Sequence, residues 1–188
     1  TIVDGNTASR VFRLLTNAPV SIRDLAIRNA STSGFGAAIH HTGAGAVTLS
    51  NLLVTDNAAG GFGGAVNNNA SGAISIQTST ISRNTTQGSS FGGGINNNWT
   101  GSISIADSVV SENTAGGWGG GVNNNWTGTI GITGSELSDN TATGWGGGIN
   151  NNDDGTVTIA LATITGNSAE NGGGINNNDG GTVTVTSS

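Results

Sequence analysis

Three aspartates are the residues whose type and spacing could bind a metal ion in this chain of 188 residues. Asp153 and Asp154 follow one asparagine run, and Asp179 follows the next. If the two runs lie on neighbouring corners of the fold, the three carboxylates and nearby carbonyls could hold Ca²⁺, which prefers oxygen ligands. The glycine-rich nonapeptide of calcium-binding RTX repeats is absent. We therefore expect no cofactor and no metal, with Ca²⁺ as an alternative.

Two tryptophans are suited to contact a sugar. Trp99 and Trp126 each stand directly after a triple-asparagine run. An exposed indole beside polar side chains is typical of sugar-binding surfaces, and packing into a corner of the fold is the ordinary alternative. Alternation along a strand predicts that the first and third asparagines of each run face solvent beside these rings. This candidate face comprises Asn96, Asn98, Trp99, Asn123, Asn125, Trp126, Asn150 and Asn152.

A row of hydroxyl side chains is suited to contact ice. The outward positions of one predicted strand are Thr156 and Thr158 in one repeat and Thr182 and Thr184 in the next. They resemble, imperfectly, the Thr-x-Thr arrays of ice-binding solenoids. An alanine and a glycine interrupt the array in earlier repeats, and exposed threonine is also favoured by ordinary β-propensity. Ice binding through the threonine or asparagine face is therefore an alternative function.

Residues suited to catalysis are sparse. Glycan-cleaving enzymes need paired carboxylates at a fixed separation, or a metal-bound carboxylate with a basic partner. All five cations are arginines, none lies beyond Arg83, and the pair His40–His41 has no acidic or serine partner in phase. We predict that the protein is not an enzyme. Polysaccharide binding or cleavage by the two tryptophans and the acidic corner is a second alternative.

Composition argues against several classes of protein. With a net charge of −6 and no lysine, the chain lacks the basic footprint of a nucleic-acid-binding protein. No apolar run reaches the roughly 18 residues that predict a membrane-spanning helix, so membrane insertion is not expected. No cysteine is present for a disulfide or a thiolate metal site. The lack of cysteine favours an extracellular setting, and the lack of methionine suggests a processed or excised chain.

An internal repeat positions all of these residues. The block at residues 92–98 recurs at 119–125, 146–152 and 172–178, with a variant at 63–69, in steps of 26 to 29 residues. Short runs in each repeat alternate polar and apolar residues and end at glycine or asparagine, which predicts three short strands per repeat. We predict an all-β, single-stranded parallel β-helix, or β-solenoid, of about seven coils. It would form one domain over residues 1–188, with divergent coils in 1–34 and regular coils in 35–188.

Three sets of side chains recur in phase and predict ladders along the solenoid. An inward asparagine at a corner can bond its own turn and the equivalent side chain one coil away. The first set, which follows the second strand, is Asn57, Asn84, Asn113, Asn140 and Asn167. The second set, the middle residues of the triple runs, is Asn68, Asn97, Asn124, Asn151 and Asn177. The third set is a stack of rings formed by Phe35, Phe62, Phe91, Trp118 and Trp145.

The repeats resemble those of polymorphic outer-membrane proteins, which pair a Gly-Gly-Ala-Ile/Leu/Val element with a Phe-x-x-Asn element. This chain has Gly-Gly-Ala-Val at residues 63–66 and Ile-Ser-Arg-Asn at 81–84. The resemblance covers residues 34–188. The chain departs from the family with Ile, Val or Leu in place of Phe, and with Gly in place of Ala in most copies. The resemblance implies a right-handed β-helix and an adhesive passenger domain at the cell surface, and it carries over no active site.

The first functional hypothesis is a non-enzymatic structural or adhesive module of a secreted or bacterial cell-surface protein. Its expected partner is a host or matrix surface of glycan or protein. The terminal coils have no evident cap, although a solenoid normally needs one. This predicts either a piece of a longer solenoid or end-to-end self-association into a fibre.

Overall fold

Alternating runs separated by tight corners form the strands of the protein. The computed structural model describes residues 1–187, which contain strands, turns and bends but no helix, and therefore none that could cross a membrane. In the strand Thr156–Ala160, Val157 and Ile159 are buried and Thr158 is exposed, as alternation requires. Equivalent strands of successive coils pair in parallel, for example Ile81 with Val110. The predicted parallel β-solenoid is confirmed.

The longest sheet has twelve strands and contains the first and second strands of each coil. We call it the long sheet. A left-handed residue separates the two strands of a coil, such as Asp107 with φ 48°. The strands of the long sheet are Ile2–Asp4, Val20–Arg28, Val47–Thr55, Ala73–Gln77, Thr80–Ser82, Ser102–Ala106, Val109–Ser111, Thr129–Thr133, Glu136–Ser138, Thr156–Ala160, Thr163–Thr165 and Thr182–Thr186.

A second sheet is built from the triple-asparagine runs and has seven strands, one for each coil. We call it the asparagine sheet. Its strands are Phe12–Leu14, Ile39–His41, Val66–Asn68, Ile95–Asn97, Val122–Asn124, Ile149–Asn151 and Ile175–Asn177. Phe12 pairs with Ile39, and in the long sheet Ile27 pairs with Val54. The divergent first coils therefore continue the same stack.

A third sheet of five very short strands was not predicted from the sequence. It follows the corner asparagines, and its strands are Ser31–Thr32, Ala58–Ala59, Thr85–Thr86, Thr114–Ala115 and Thr141–Ala142. Two residues are too few to show a period of two, so only the stacked copies identify these segments as strands. Each coil thus has up to four strand segments instead of three.

One apolar cluster fills the interior from Ile22 to Ala162. In a middle coil, Ile103, Ile105 and Val110 are each 1% exposed or less. Full burial of such a side chain stabilises a fold by about 1.5–3 kcal/mol. Because each coil also covers the apolar edges of its neighbours, a narrow core is sufficient for the whole stack.

Candidate functional site

The corner asparagines form the predicted structural ladder. Asn113 is fully buried, its Nδ2 donates to Asn140 Oδ1 at 3.0 Å, and its Oδ1 accepts from Asn84 Nδ2 at 2.9 Å. The same amide-to-amide bond joins Asn57 to Asn84 and Asn140 to Asn167, each at 2.9 Å. Each Oδ1 also accepts a backbone N–H from the preceding coil, as when Asn84 N donates to Asn113. The ladder therefore fixes side chains and backbone together.

The middle asparagines of the triple runs form the second predicted inner ladder. Asn97 Nδ2 donates to Asn124 Oδ1 at 2.9 Å and to the Gly101 carbonyl at 2.8 Å. Asn68, Asn151 and Asn177 continue this pattern in neighbouring coils. Since these amides also bond the turn that follows them, the ladder ties the asparagine sheet to the corner leading into the long sheet.

The first and third asparagines of the runs do not face solvent, and the prediction of an exposed asparagine stripe is wrong. Asn96, Asn123 and Asn150 are each 0% exposed. Asn98, Asn125 and Asn152 are buried as well, at 5–9% exposure. Asn123 Nδ2 donates to Asn96 Oδ1 at 2.8 Å, which is one bond of an outer ladder. These six residues are therefore structural in this fold and offer no free binding face.

A stack of aromatic rings explains this burial. Gly92 has φ 66° and forms a left-handed turn between Phe91 and the strand Ile95–Asn97. Phe91 stacks on Trp118 with ring centroids 4.5 Å apart, and Trp118 stacks on Trp145 at 4.6 Å. In the last coil, where no further ring follows, Trp145 and the half-buried Asn176 line one open cavity. The predicted aromatic ladder exists, and it shields the outer asparagines.

The inner and outer asparagine ladders run in opposite directions. In the inner ladders the amide N–H of one coil donates to the following coil, as Asn97 does to Asn124. In the outer ladder it donates to the preceding coil, as Asn150 does to Asn123. Chains of aligned hydrogen bonds polarise one another, and their dipoles add along the chain. The dipoles of the inner and outer ladders therefore point in opposite directions along the solenoid axis.

Trp99 and Trp126 remain as an exposed pair. Their indole rings stack with centroids 5.3 Å apart, yet the residues are 50% and 48% exposed. Both occupy left-handed backbone, with φ of 64° and 60°, which is unusual for a bulky residue. Trp99 Nε1 donates to Asn69 Oδ1 at 3.1 Å, whereas the Trp126 indole N–H has no protein acceptor within residues 1–187. The structure thus keeps two large rings at a strained and solvated corner.

The acidic corner continues this position into the next two coils. Asp153 and Asp179 take the left-handed corner that Trp126 holds, with φ of 49° and 50°. Their carboxylates accept hydrogen bonds from Asn152 and Asn178, at 2.5 and 2.9 Å. Within residues 1–187, no three His, Cys, Asp or Glu side chains come together in a group that could hold a metal ion. The alternative of a Ca²⁺ site at Asp153, Asp154 and Asp179 therefore has no support in the geometry.

The threonine face is regular only in the last coils. Thr156 pairs with Thr182 and Thr158 with Thr184 on the outer side of the long sheet. Towards the N-terminus, the small outward residues at the same positions leave a shallow groove of about 260 Å³. The residues lining this groove include Ala46, Ala73, Ser102, Thr129 and Gly131. The face is therefore not a continuous flat array of hydroxyl groups.

No protein family, curated protein or solved structure matches this chain. The fold thus rests on the strands and their register alone, and the resemblance to outer-membrane repeats gains no support from the comparisons. The geometry of the outer face leaves the exposed pair of Trp99 and Trp126 as the candidate functional site.

A ladder of serines was missed by sequence reasoning. The buried hydroxyls of Ser79, Ser108 and Ser135 each accept a backbone N–H from the preceding coil at 3.1 Å. Each also donates to the carbonyl two residues before it, as Ser108 does to Ala106 at 2.7 Å. Their spacing of 29 and 27 residues is a visible signal in the sequence. This ladder closes the corner between the two strands of the long sheet and has no free group for binding.

Charged side chains at equivalent positions after the second strand form one ion pair. Arg83 Nε lies 3.0 Å from Asp56 Oδ1, and this ion pair lowers the pKa of the Asp56 carboxyl. Within residues 1–187, Glu112 makes no ion pair with Arg83. Both members of the Arg83–Asp56 pair are about half exposed, so its contribution to stability is small.

The two histidines occupy ladder positions in the coil that precedes the first asparagine run. His41 Nδ1 lies 3.1 Å from Asn68 Oδ1, and Asn67 Nδ2 lies 3.1 Å from His40 Nδ1. Because Asn67 donates, His40 Nδ1 must be the unprotonated acceptor. Burial lowers the pKa of His40 to about 4, with further lowering by the charges of Arg10, Arg13 and His41. His40 is thus held neutral as a substitute for the asparagine of later coils.

Replacement of His40 by asparagine is expected to remove an acid-dependent loss of stability. The His40 pKa is about 4 in the fold and about 6.5 in the unfolded chain, so between these values only the unfolded chain binds the proton. Stability is therefore full above pH 6.5 and falls by about 3 kcal/mol as the pH drops towards 4. Urea unfolding of both proteins at pH 7 and pH 4.5 measures the difference. An equal loss on acidification in His40→Asn would contradict the assignment.

Proposed function

We propose that this chain is a non-catalytic, adhesive repeat module of a secreted or cell-surface bacterial protein. In this proposal a stiff solenoid presents the exposed pair of Trp99 and Trp126 to a surface ligand. The exposure of the two stacked rings is the single observation that carries the proposal. A buried ring contributes to cohesion, but half-exposed rings in left-handed backbone carry a cost without full burial in return.

The remaining polar interior supports a structural role for the other coils. In each asparagine ladder the amides bond to their copies in neighbouring coils, as the bonds of Asn113 and Asn123 illustrate. Such satisfied networks make a protein rigid. The resemblance of residues 34–188 to polymorphic outer-membrane repeats points in the same direction, because it implies a cell-surface passenger. A rigid rod that displays an exposed pair of stacked indole rings is suited to adhesion.

Retention on coated surfaces tests the proposal. Labelled protein is applied to plates coated with mucin, collagen or insoluble glucan, and the double variant Trp99→Asn/Trp126→Asn is compared with the wild type. Asparagine tolerates left-handed backbone, so the variant should keep the fold. We expect at least one coating to retain the wild type, with retention falling about tenfold in the double variant. No new reducing ends should appear on the glucan.

A matched control replaces two exposed carboxylates on another face, as in Glu112→Gln/Glu136→Gln. This variant should be retained like the wild type. Equal retention of the tryptophan variant, or no retention of the wild type on any coating, would overturn the adhesive function.

Ice binding is a second candidate function, favoured by the paired threonines of the last two coils. Thr156 with Thr182 and Thr158 with Thr184 form a small array of uncharged hydroxyl groups. Thermal hysteresis and ice-crystal shaping are the measurements. If the candidate holds, Thr158→Leu should abolish both effects, whereas Ser104→Leu, on the same face two coils away, should retain them.

A further inference from the structure

One face of the Trp126 indole is open towards the acidic corner. Trp99 covers the other face, and no other ring contacts Trp126 within residues 1–187. The next coil places Asp153 at the same corner, because Asn124 pairs with Asn151 and both runs continue in step. Coils lie about 4.8 Å apart, so a third indole at that position would have continued the stack. An aspartate is too short to cover an indole ring in this way, and Trp126 is 48% exposed.

Several hydrogen-bonding groups of the residues at this corner lack partners. The Trp126 indole N–H is a free donor, and the exposed Asp154 carboxylate has no hydrogen-bond partner within residues 1–187. Asp153 Oδ2 accepts from Asn152, and Asp153 Oδ1 accepts no hydrogen bond from any residue in 1–187. A ligand that fills such a site must present an apolar face to the ring and both hydroxyl donors and acceptors at its edge. A cation could use the carboxylates but not the N–H donor.

The negative charge of this corner further restricts the chemical class of the ligand. Asp153, Asp154 and Asp179 lie at this corner, and no lysine or arginine follows Arg83 in the chain. No basic side chain of this half of the protein can therefore neutralise an anionic ligand. Uronic acids and sulfated sugars would meet like charge in a partly desolvated site, which costs binding free energy.

We infer that Trp126, with Asp153 and Asp154, binds a pyranose ring of an uncharged polysaccharide. The sugar's C–H face lies on the indole, its hydroxyl groups donate to the carboxylates, and one of its oxygens accepts from the Trp126 N–H. This inference rests on the proposed adhesive function and names the ligand class of that same site.

Calorimetric titration of the whole chain tests the inference. The probes are the neutral hexaoses of β-1,4-glucan, α-1,4-glucan and β-1,4-mannan, with hexagalacturonate and a hexalysine peptide as charged counterparts. We expect one or more neutral hexaoses to bind and neither charged probe to compete. Trp126→Asn should weaken binding at least about tenfold, and Trp126→Phe, which keeps a ring but lacks the N–H, should lie between the two.

Two conservative variants separate the acidic corner from general charge effects. Asp154→Asn should weaken binding of the neutral hexaose severalfold, whereas Glu136→Gln, which removes an exposed carboxylate elsewhere, should leave it unchanged. Absence of binding by every neutral hexaose would overturn the inference. Trp126-dependent binding of hexalysine would overturn it in favour of a cation site, and hexagalacturonate binding of equal strength would overturn the charge argument.

The inference and the proposed function can fail separately. If the wild type is retained on coated plates through the tryptophans but binds no neutral hexaose, the adhesive function stands and the ligand class is wrong. If the chain is retained on no coating, the adhesive function itself fails.

Discussion

Gly119→Ala is expected to destabilise the fold by about 3 kcal/mol or more, because two separate costs add at this position. Gly119 has φ 67°, which an L-residue with a Cβ avoids. A Cβ built there would lie 2.6 Å from the Val122 carbonyl oxygen and 2.9 Å from Asn123 Cα. Both atoms belong to the following strand of the asparagine sheet and cannot turn away as a flexible side chain can.

The turn at Gly119 also positions a ring of the aromatic ladder. The left-handed turn at Gly119 directly follows Trp118, whose ring stacks between Phe91 and Trp145. A glycine stands at this turn in six coils, at residues 36, 63, 92, 119, 146 and 172, and every one has positive φ. Loss of the turn would uncover the outer asparagines, so increased accessibility of Asn123 should accompany the drop in stability.

Two control variants separate the cost of the left-handed backbone from the cost of the steric clash. Urea unfolding measures the stability of all three variants. Gly88 has φ 60° but open space around a Cβ, so Gly88→Ala should lose only about 1 kcal/mol. Gly131 lies in a strand without positive φ, and the nearest atom to a Cβ is Thr158 Oγ1 at 3.6 Å. Gly131→Ala should be neutral or stabilising by up to about 1 kcal/mol. If Gly119→Ala matched Gly131→Ala, the turn would not control the fold.

The stack and the inner ladders could be predicted because both depend on phase alone. A residue that recurs every 26 to 29 positions must meet its own copy when the coils stack, whatever the exact path of the chain. Asn113 and Asn97 thus met their copies as expected. The serine ladder at Ser108 carries the same signal, so its recurrence in phase is enough to predict it as well.

The outer asparagines could not be predicted in the same way. Alternation predicts the face of the strand on which the Asn96 side chain lies, but it does not predict which other residues cover that side chain. The cover is the ring stack that includes Phe91, which depends on the turn at Gly92. The tryptophan corner is the opposite case. Trp126 directly follows a buried asparagine, yet its own ring stays exposed. The residue at the same corner of the next coil is Asp153, which is too short to continue the ring stack.

Asn113→Ala should cost about 3–5 kcal/mol, because it removes several hydrogen bonds from the closed interior at once. Asn113 is 0% exposed, and its Nδ2 donates to Asn140 Oδ1 and to the Ile81 carbonyl. Its Oδ1 accepts both Nδ2 and the backbone N–H of Asn84, at 2.9 and 3.0 Å. Alanine therefore removes four hydrogen bonds from the closed interior and leaves the backbone N–H of Asn84 without its side-chain acceptor. Asn84 Nδ2 and Asn140 Oδ1 lose one bond each but keep other partners.

The adjacent residue provides the control. Thr114 is exposed in the strand Thr114–Ala115, so Thr114→Ala should change stability by no more than about 0.5 kcal/mol. Urea unfolding at pH 7 measures both variants, and a loss in Asn113→Ala no larger than in Thr114→Ala would show that the ladder adds no stability. Asn113 lies in a middle coil, and each coil contacts only its neighbours. The break should therefore weaken the coupling between the coils on either side, so that the unfolding transition of Asn113→Ala becomes broader as well as earlier.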